Sequence, residues 1–143
     1  MPPLLLNPLG PQPTATVPDT STARPKALSV LVVDDAPMLR RTIAQMLARQ
    51  GGYAVREAGT YREAEALLST VDAVATDGYY PHHVGEATGP WGLTLARLAR
   101  AQGKRAVLIS GDTALIEQAH WEGIQALTKP SGILGLTAAL AAA

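Results

Sequence analysis

The sequence predicts an α/β protein of the doubly wound kind: a (βα)5 three-layer sandwich with a parallel sheet ordered 2-1-3-4-5. Three observations carry this. Short apolar runs alternate with segments of helical spacing from residue 28 to the end, and that alternation is the pattern of a parallel sheet with helices on both faces. Several of the runs, Leu-Ser-Val-Leu-Val-Val at 28–33 and Val-Asp-Ala-Val-Ala-Thr at 71–76 among them, are nearly continuous, as in strands buried on both sides. Polar groups then stand where four of the five runs stop: Asp34 and Asp35, Asp77, Ser110, and Lys129.

Residues 1–26 are rich in Pro, Thr and Ser without apolar periodicity. Such a stretch cannot offset its ordering entropy by burial, so a disordered tail is expected, in preference to a docking peptide around Leu4–Leu9. The folded domain is placed at 27–143. Its first strand runs into Asp34-Asp35. A helix follows, with Pro37 in the first turn and Leu39, Ile43, Met46 and Leu47 at helical spacing, stopped by Gly51-Gly52. Tyr53 to Ala58 is a second strand, and Thr60-Tyr-Arg-Glu63 is a capping box opening a helix through Leu68. The third strand ends at Asp77, and Gly78 to Gly89 is read as a long loop. Pro90 starts a helix to about Ala101, Arg105 to Ser110 is a fourth strand, and Thr113 to Glu122 a short helix. Gln125 to Thr128 makes the fifth strand, after which Ser131 caps a last helix.

The totals narrow the function. Twelve basic against twelve acidic residues leave no electrostatic footprint for nucleic acid or an anionic membrane. The absence of cysteine removes disulfides, thiolate catalysis and Cys-ligated zinc. No apolar run approaches the roughly 20 residues that span a bilayer, and the N-terminus lacks the basic and apolar regions of a signal peptide. A cytoplasmic location is expected, with neither nucleic acid nor membrane as partner.

In a sheet of this order the first and third strands are neighbours and flank the topological switch point, where ligands bind at the C-terminal strand ends. That gathers Asp34, Asp35 and Asp77. Carboxylates so close repel unless a cation intervenes, and an oxygen-only set suits Mg²⁺. Lys129 can neutralise a bound phosphoryl group and Ser110 can donate to it.

With these residues the chain resembles the receiver domains of bacterial response regulators, the family that includes the chemotaxis regulator CheY. The resemblance rests on Val-Leu-Val-Val-Asp-Asp-Ala-Pro-Met-Leu-Arg-Arg at 30–41, Thr-Asp-Gly-Tyr-Tyr-Pro at 76–81, Leu-Ile-Ser-Gly at 108–111 and Thr-Lys-Pro at 128–130. It implies the flavodoxin-like fold and a phosphoacceptor switch that is no enzyme beyond its own phosphotransfer and dephosphorylation. Asp77 would take the phosphoryl group from a sensor histidine kinase or a histidine phosphotransfer protein. Mg²⁺ would be held by Asp35 directly, by Asp34 largely through water, by Asp77, and by the Tyr79 carbonyl. Ser110 would be the hydroxyl that moves toward the phosphoryl group, Lys129 its counter-charge, and the Lys129–Pro130 bond would be cis.

Two features differ from the family pattern. The loop between Asp77 and Gly92 is longer and the Ser110–Lys129 interval shorter; and the aromatic residue usual near the fifth strand is replaced by Ala126. Tyr79, Tyr80 or Trp121 would have to stand in for it. His82 and His83 are read as solvated loop residues rather than metal ligands, Trp91 and Trp121 as packing residues, and Asp112 as a helix cap. Tyr79 is expected to shield a phosphoryl group from water. The uncharged segment from Pro130 to Ala143 suggests a covered surface through Leu134, for a homodimer or a downstream target protein. With no DNA-binding or catalytic domain after it, a stand-alone receiver is expected, in a two-component system or phosphorelay, acting through protein contacts. A scaffold that keeps the fold without phosphorylation is the first rival, and a Mg²⁺-dependent phosphohydrolase the second.

Overall fold

In the structure, a computed structural model that describes residues 27–143, five strands form one parallel sheet. The expected tail at 1–26 and its Leu4–Leu9 segment lie outside the described residues. The order of elements is β1 (Ser29–Val33), α1 (Pro37–Gly51), β2 (Ala54–Ala58), α2 (Tyr61–Leu67) and β3 (Ala73–Asp77). A two-stranded hairpin follows, β4 (Tyr80–Pro81) and β5 (Thr88–Gly89). After it come α3 (Trp91–Ala101), β6 (Arg105–Ser110), α4 (Thr113–Trp121), β7 (Gln125–Thr128) and α5 (Leu136–Ala142). The main sheet is ordered β2-β1-β3-β6-β7. Counting its five strands alone, that is the expected 2-1-3-4-5.

Strand alternation sorts the core into two layers. In β1, Val30 and Val32 point to one face, where they meet Ile43 and Leu47 of α1 and Leu136 and Leu140 of α5. Leu31 and Val33 point to the other, toward Tyr61 and Ala64 of α2, Leu95 and Ala99 of α3, and Ala119 of α4. All four β1 residues are essentially inaccessible. A strand flanked by helices on both sides has no polar face, which is why its sequence reads as a continuous apolar run. Each such side chain contributes about 1.5–3 kcal/mol on burial.

The caps work as the residue types dictate. Thr60 accepts from the Glu63 amide at 3.2 Å, and the Glu63 carboxylate reaches back to the Gly59 amide at 2.8 Å. The reciprocal bond of the capping box is thus made one residue early. Asp112 accepts from the amides of Ala114 and Leu115 at the start of α4, as expected of a cap.

Three expectations are corrected. The Gly78–Gly89 segment is not an open loop: Tyr80 pairs with Gly89 and Pro81 with Thr88, antiparallel. The last helix does not start at Ser131; a 3-10 turn over Ser131–Gly135 precedes α5. Trp121 is no packing residue, with 86% of its surface exposed, whereas Trp91 lies against Tyr61 and His82. Leu136 and Leu140 face the sheet and Leu134 faces outward, as their spacing predicts. Among the described residues no helix is long and apolar enough to cross a membrane.

Candidate functional site

Register brings the polar strand ends together. Val33 is opposite Thr76 in the β1–β3 pairing, Asp77 is opposite Ile109, and Ser110 is opposite Thr128. The residues one step beyond β1 and β7, Asp34 and Lys129, therefore stand at the same edge as Asp77 and Ser110. The Lys129 ammonium lies 2.9 Å from Asp77 Oδ1 and 3.4 Å from Asp34 Oδ2. The Lys129–Pro130 peptide is cis, as the resemblance implied.

Asp34 is buried, and its Oδ1 accepts the Ala36 amide at 2.9 Å. Asp35, next in sequence, is exposed. It lines a cleft of about 430 Å³ together with Gly59, Pro81, Val84 and Gly85. Carboxylate oxygens of Asp34, Asp35 and Asp77 all come within 4.8 Å of one another. Such a set of hard oxygens fits a hard divalent cation, Mg²⁺ or Ca²⁺, and not a thiophilic one.

The charges explain the titration of the two central groups. Burial pushes the Asp77 carboxyl up; Lys129 pulls it back, but Asp34 pushes it up again, and the net direction is upward. Burial pulls the Lys129 ammonium down, but Asp77 and Asp34 outweigh that and hold it above the usual lysine value. One cation thus sits between two acids, nearer to Asp77.

Ser110 is buried beside Asp77, with its Oγ accepting the Asp112 amide at 3.0 Å. Its own hydroxyl proton is not used by that bond. Tyr79 and Asp112 are bonded to each other: the Tyr79 hydroxyl donates to Asp112 Oδ2. That bond, ahead of the helix amides, holds the Asp112 carboxyl below its usual range. Both Asp112 oxygens are therefore engaged, one by Tyr79 and one by the cap, leaving it poorly placed to orient water.

Below the site, Thr76 donates its single hydroxyl proton to the Asp77 carbonyl at 2.9 Å. The buried Tyr80 hydroxyl, 2.9 Å from Thr76 Oγ1, must then be the donor in their bond. Burial first of all keeps that phenol protonated, far above its normal range. Tyr80 is fully buried, so it is a fixed prop and cannot replace the missing aromatic at Ala126 as a moving ring.

Gly92 is the residue that sequence reasoning missed. A Cβ there would lie 1.9 Å from the Asp77 carbonyl oxygen, and the Gly92 amide donates to the Gly78 carbonyl at 3.1 Å. The first turn of α3 is pressed directly on the backbone that carries Asp77. Gly92→Ala is expected to cost about 1–3 kcal/mol, the range of core overpacking, measured as a drop in urea midpoint. An unchanged midpoint would mean that the contact is not tight in solution.

No protein-family profile matches the chain, and no curated protein sequence matches it. Solved structures do. A two-component response regulator of the LuxR family from an Aurantimonas species is 27% identical over 82% of this chain and 84% of its own, with a TM-score of 0.66. The signal receiver domain of an HD domain-containing protein from Pseudomonas fluorescens is 28% identical over 82% and 94%, with a TM-score of 0.65. A response regulator from Burkholderia pseudomallei, solved with a phosphorylated aspartic acid, a calcium ion and citrate, is 29% identical over 79% and 66%, with a TM-score of 0.62. The structural neighbours are response regulator receiver domains of the CheY-like fold, and the likeness spans most of the chain.

Proposed function

We propose that this chain is a phosphorylation-controlled receiver whose phosphoacceptor is Asp77. The receiver fold supports a role in two-component signalling; the finer reading rests on one observation. A partly buried, upward-shifted carboxylate lies 2.9 Å from the Lys129 ammonium and within 4.8 Å of two further carboxylates, at the C-terminal edge of the sheet.

In this reading an Asp77 oxygen attacks the phosphorus of a phosphoimidazole on a histidine kinase or histidine phosphotransfer protein. The new O–P bond forms as the P–N bond breaks, and the departing imidazole nitrogen keeps the electron pair and takes a proton from water. Asp34, Asp35, Asp77 and the Tyr79 carbonyl would hold Mg²⁺, which when bound would supply charge neutralisation at the phosphoryl oxygens. Lys129 moves its hydrogen bond from the Asp77 carboxylate to a phosphoryl oxygen. Ser110 donates its hydroxyl proton to another. The bias these two bonds create is what a partner protein would read.

The test is uptake of phosphate from a small phosphodonor with Mg²⁺ present, compared between wild type and Asp77→Asn by intact mass. No uptake by the wild type would favour the phosphorylation-independent scaffold, a reading to which Ala126 lends weight.

Tyr79 sets a further expectation. Its ring is tethered by Asp112 above the acceptor strand end and has no base to offer an attacking water. Tyr79→Ala should speed loss of phosphate about tenfold, equivalent to about 1.4 kcal/mol off the barrier, followed by mass or ³¹P NMR. An unchanged rate would remove Tyr79 as the shield.

A further inference from the structure

The hairpin beside the acidic edge carries a second set of donors of different chemistry. His82 and His83 lie in the turn of the hairpin, His82 partly buried and His83 exposed. Their Nδ1 atoms face each other at 2.7 Å, and Glu86 Oε2 lies 3.4 Å from His83 Nδ1. One donor atom from each of the three falls within 4.8 Å of the others. The set is two imidazoles and one carboxylate, a composition suited to a zinc-like ion and poorly suited to Mg²⁺.

The backbone holds these donors in place by contacts that do not involve the donor atoms. The His82 carbonyl accepts the Arg62 amide of α2 at 3.1 Å. The His82 ring stacks on Tyr61 with centroids 5.1 Å apart and meets Trp91 edge-on at 4.4 Å. The chain then reverses: the Glu86 amide donates to the His83 carbonyl at 3.1 Å, with Gly85 at φ 86°, a conformation open chiefly to glycine. That turn returns Glu86 to His83, and the β4–β5 pairing closes the loop.

We propose that His82, His83 and Glu86 form a binding site for a zinc-like transition-metal ion, separate from the acidic cluster. Bonds of about 2.0–2.2 Å to such an ion place tetrahedral ligand atoms about 3.3–3.5 Å apart. The His83–Glu86 pair has that separation already. The two imidazoles need open by only roughly half an ångström, as the proton now shared between them gives way to the ion. His83 and Glu86 are about half exposed, so the ion keeps a coordination position open to water or to a partner's side chain. A bound ion would staple a hairpin of only two residue pairs, which is weak alone. Val84 and Gly85 of the same turn wall the cleft that leads to Asp35, so the staple would stiffen the approach to the acidic edge.

The sequence makes the test clean: the chain has three histidines and no cysteine, and the third histidine is His120. Zn²⁺ affinity is measured on the full chain by competition with a chromophoric chelator, in excess Mg²⁺. One equivalent is expected to bind. His83→Asn and Glu86→Gln, both surface changes that keep the fold by circular dichroism, should each weaken it by at least the roughly 10–100-fold that loss of an outer-shell partner costs. His120→Asn should leave it unchanged. Hydrogen exchange at the amides of 82–89 should slow on adding Zn²⁺. Failure to bind Zn²⁺, equal affinity in His83→Asn and wild type, or displacement by Mg²⁺ would each overturn the site; the last two would put the ion in the acidic cluster.

Discussion

Asp77→Asn is expected to take up no phosphate from a phosphodonor and, in the absence of divalent ions, to be more stable than wild type at neutral pH. The first half follows from chemistry. An amide keeps the volume and one oxygen acceptor for Lys129, but its oxygen is too weak a nucleophile to displace an imidazole. The second half follows from the direction of the Asp77 shift. Burial, reinforced by Asp34, raises the folded-state pKa above the ordinary value of 3.8 despite Lys129. A carboxyl whose folded pKa is raised favours the fold while protonated, below its unfolded value. That contribution is lost as pH climbs through the folded value. At neutral pH the wild type carries an ionised Asp77 that the fold tolerates poorly, and the amide removes this penalty. The gain in Tm should therefore be largest at neutral pH and shrink toward zero as pH falls to the ordinary carboxyl range. Thermal melts of both proteins at several pH values in EDTA decide it. Phosphate on another residue would sink the acceptor assignment, and a variant destabilised more at neutral than at acid pH would reverse the electrostatic argument.

Much of this was readable in the chain because the signals are local. Strands buried on both faces are continuous apolar runs, and each acid or base of the site directly follows one. Contacts between distant residues were hidden. Gly92 reads as a weak helix residue until α3 is seen to press on the Asp77 carbonyl. The bond between Tyr79 and Asp112 spans 33 positions, and nothing in a sequence reveals it. The hairpin strands are two residues each, too short to show alternation. Glu86 lies three residues after His83, but only the turn at Gly85 brings it back to the imidazoles. Trp121 was misread because a large aromatic ring is usually buried, and here it is 86% exposed at the end of α4. The fate of neighbours was equally illegible: Asp34 is buried and Asp35 exposed, a split decided by where β1 ends.

Lys129→Ala should separate phosphorylation from its consequence. In the resting protein the ammonium bridges Asp77 and Asp34 at 2.9 and 3.4 Å. Its raised pKa means that it favours the fold at every pH below the ordinary lysine value of 10.5, and that this support is lost as pH rises through the folded value. Removing it leaves a buried Asp34 and a half-buried Asp77 without a counter-charge, at a cost of about 1–3 kcal/mol. Mg²⁺ should restore part of that stability, since the carboxylates then face a cation again. Phosphate uptake persists at a reduced rate, because the nucleophile and the three-carboxylate set remain. The phosphorylated form, however, lacks a charge-assisted bond worth about 1.5–3 kcal/mol, which is a roughly 10–100-fold loss in the bias between two conformations. The readout needs no partner: amide NMR shifts of β7 and α4 on adding beryllofluoride with Mg²⁺. Wild type should show shifts that reach beyond the site, Lys129→Arg a weaker version, and Lys129→Ala shifts confined to the residues around Asp77. If the alanine variant responds as far and as strongly as wild type, Lys129 is a structural counter-ion and the switch is thrown by Ser110 alone.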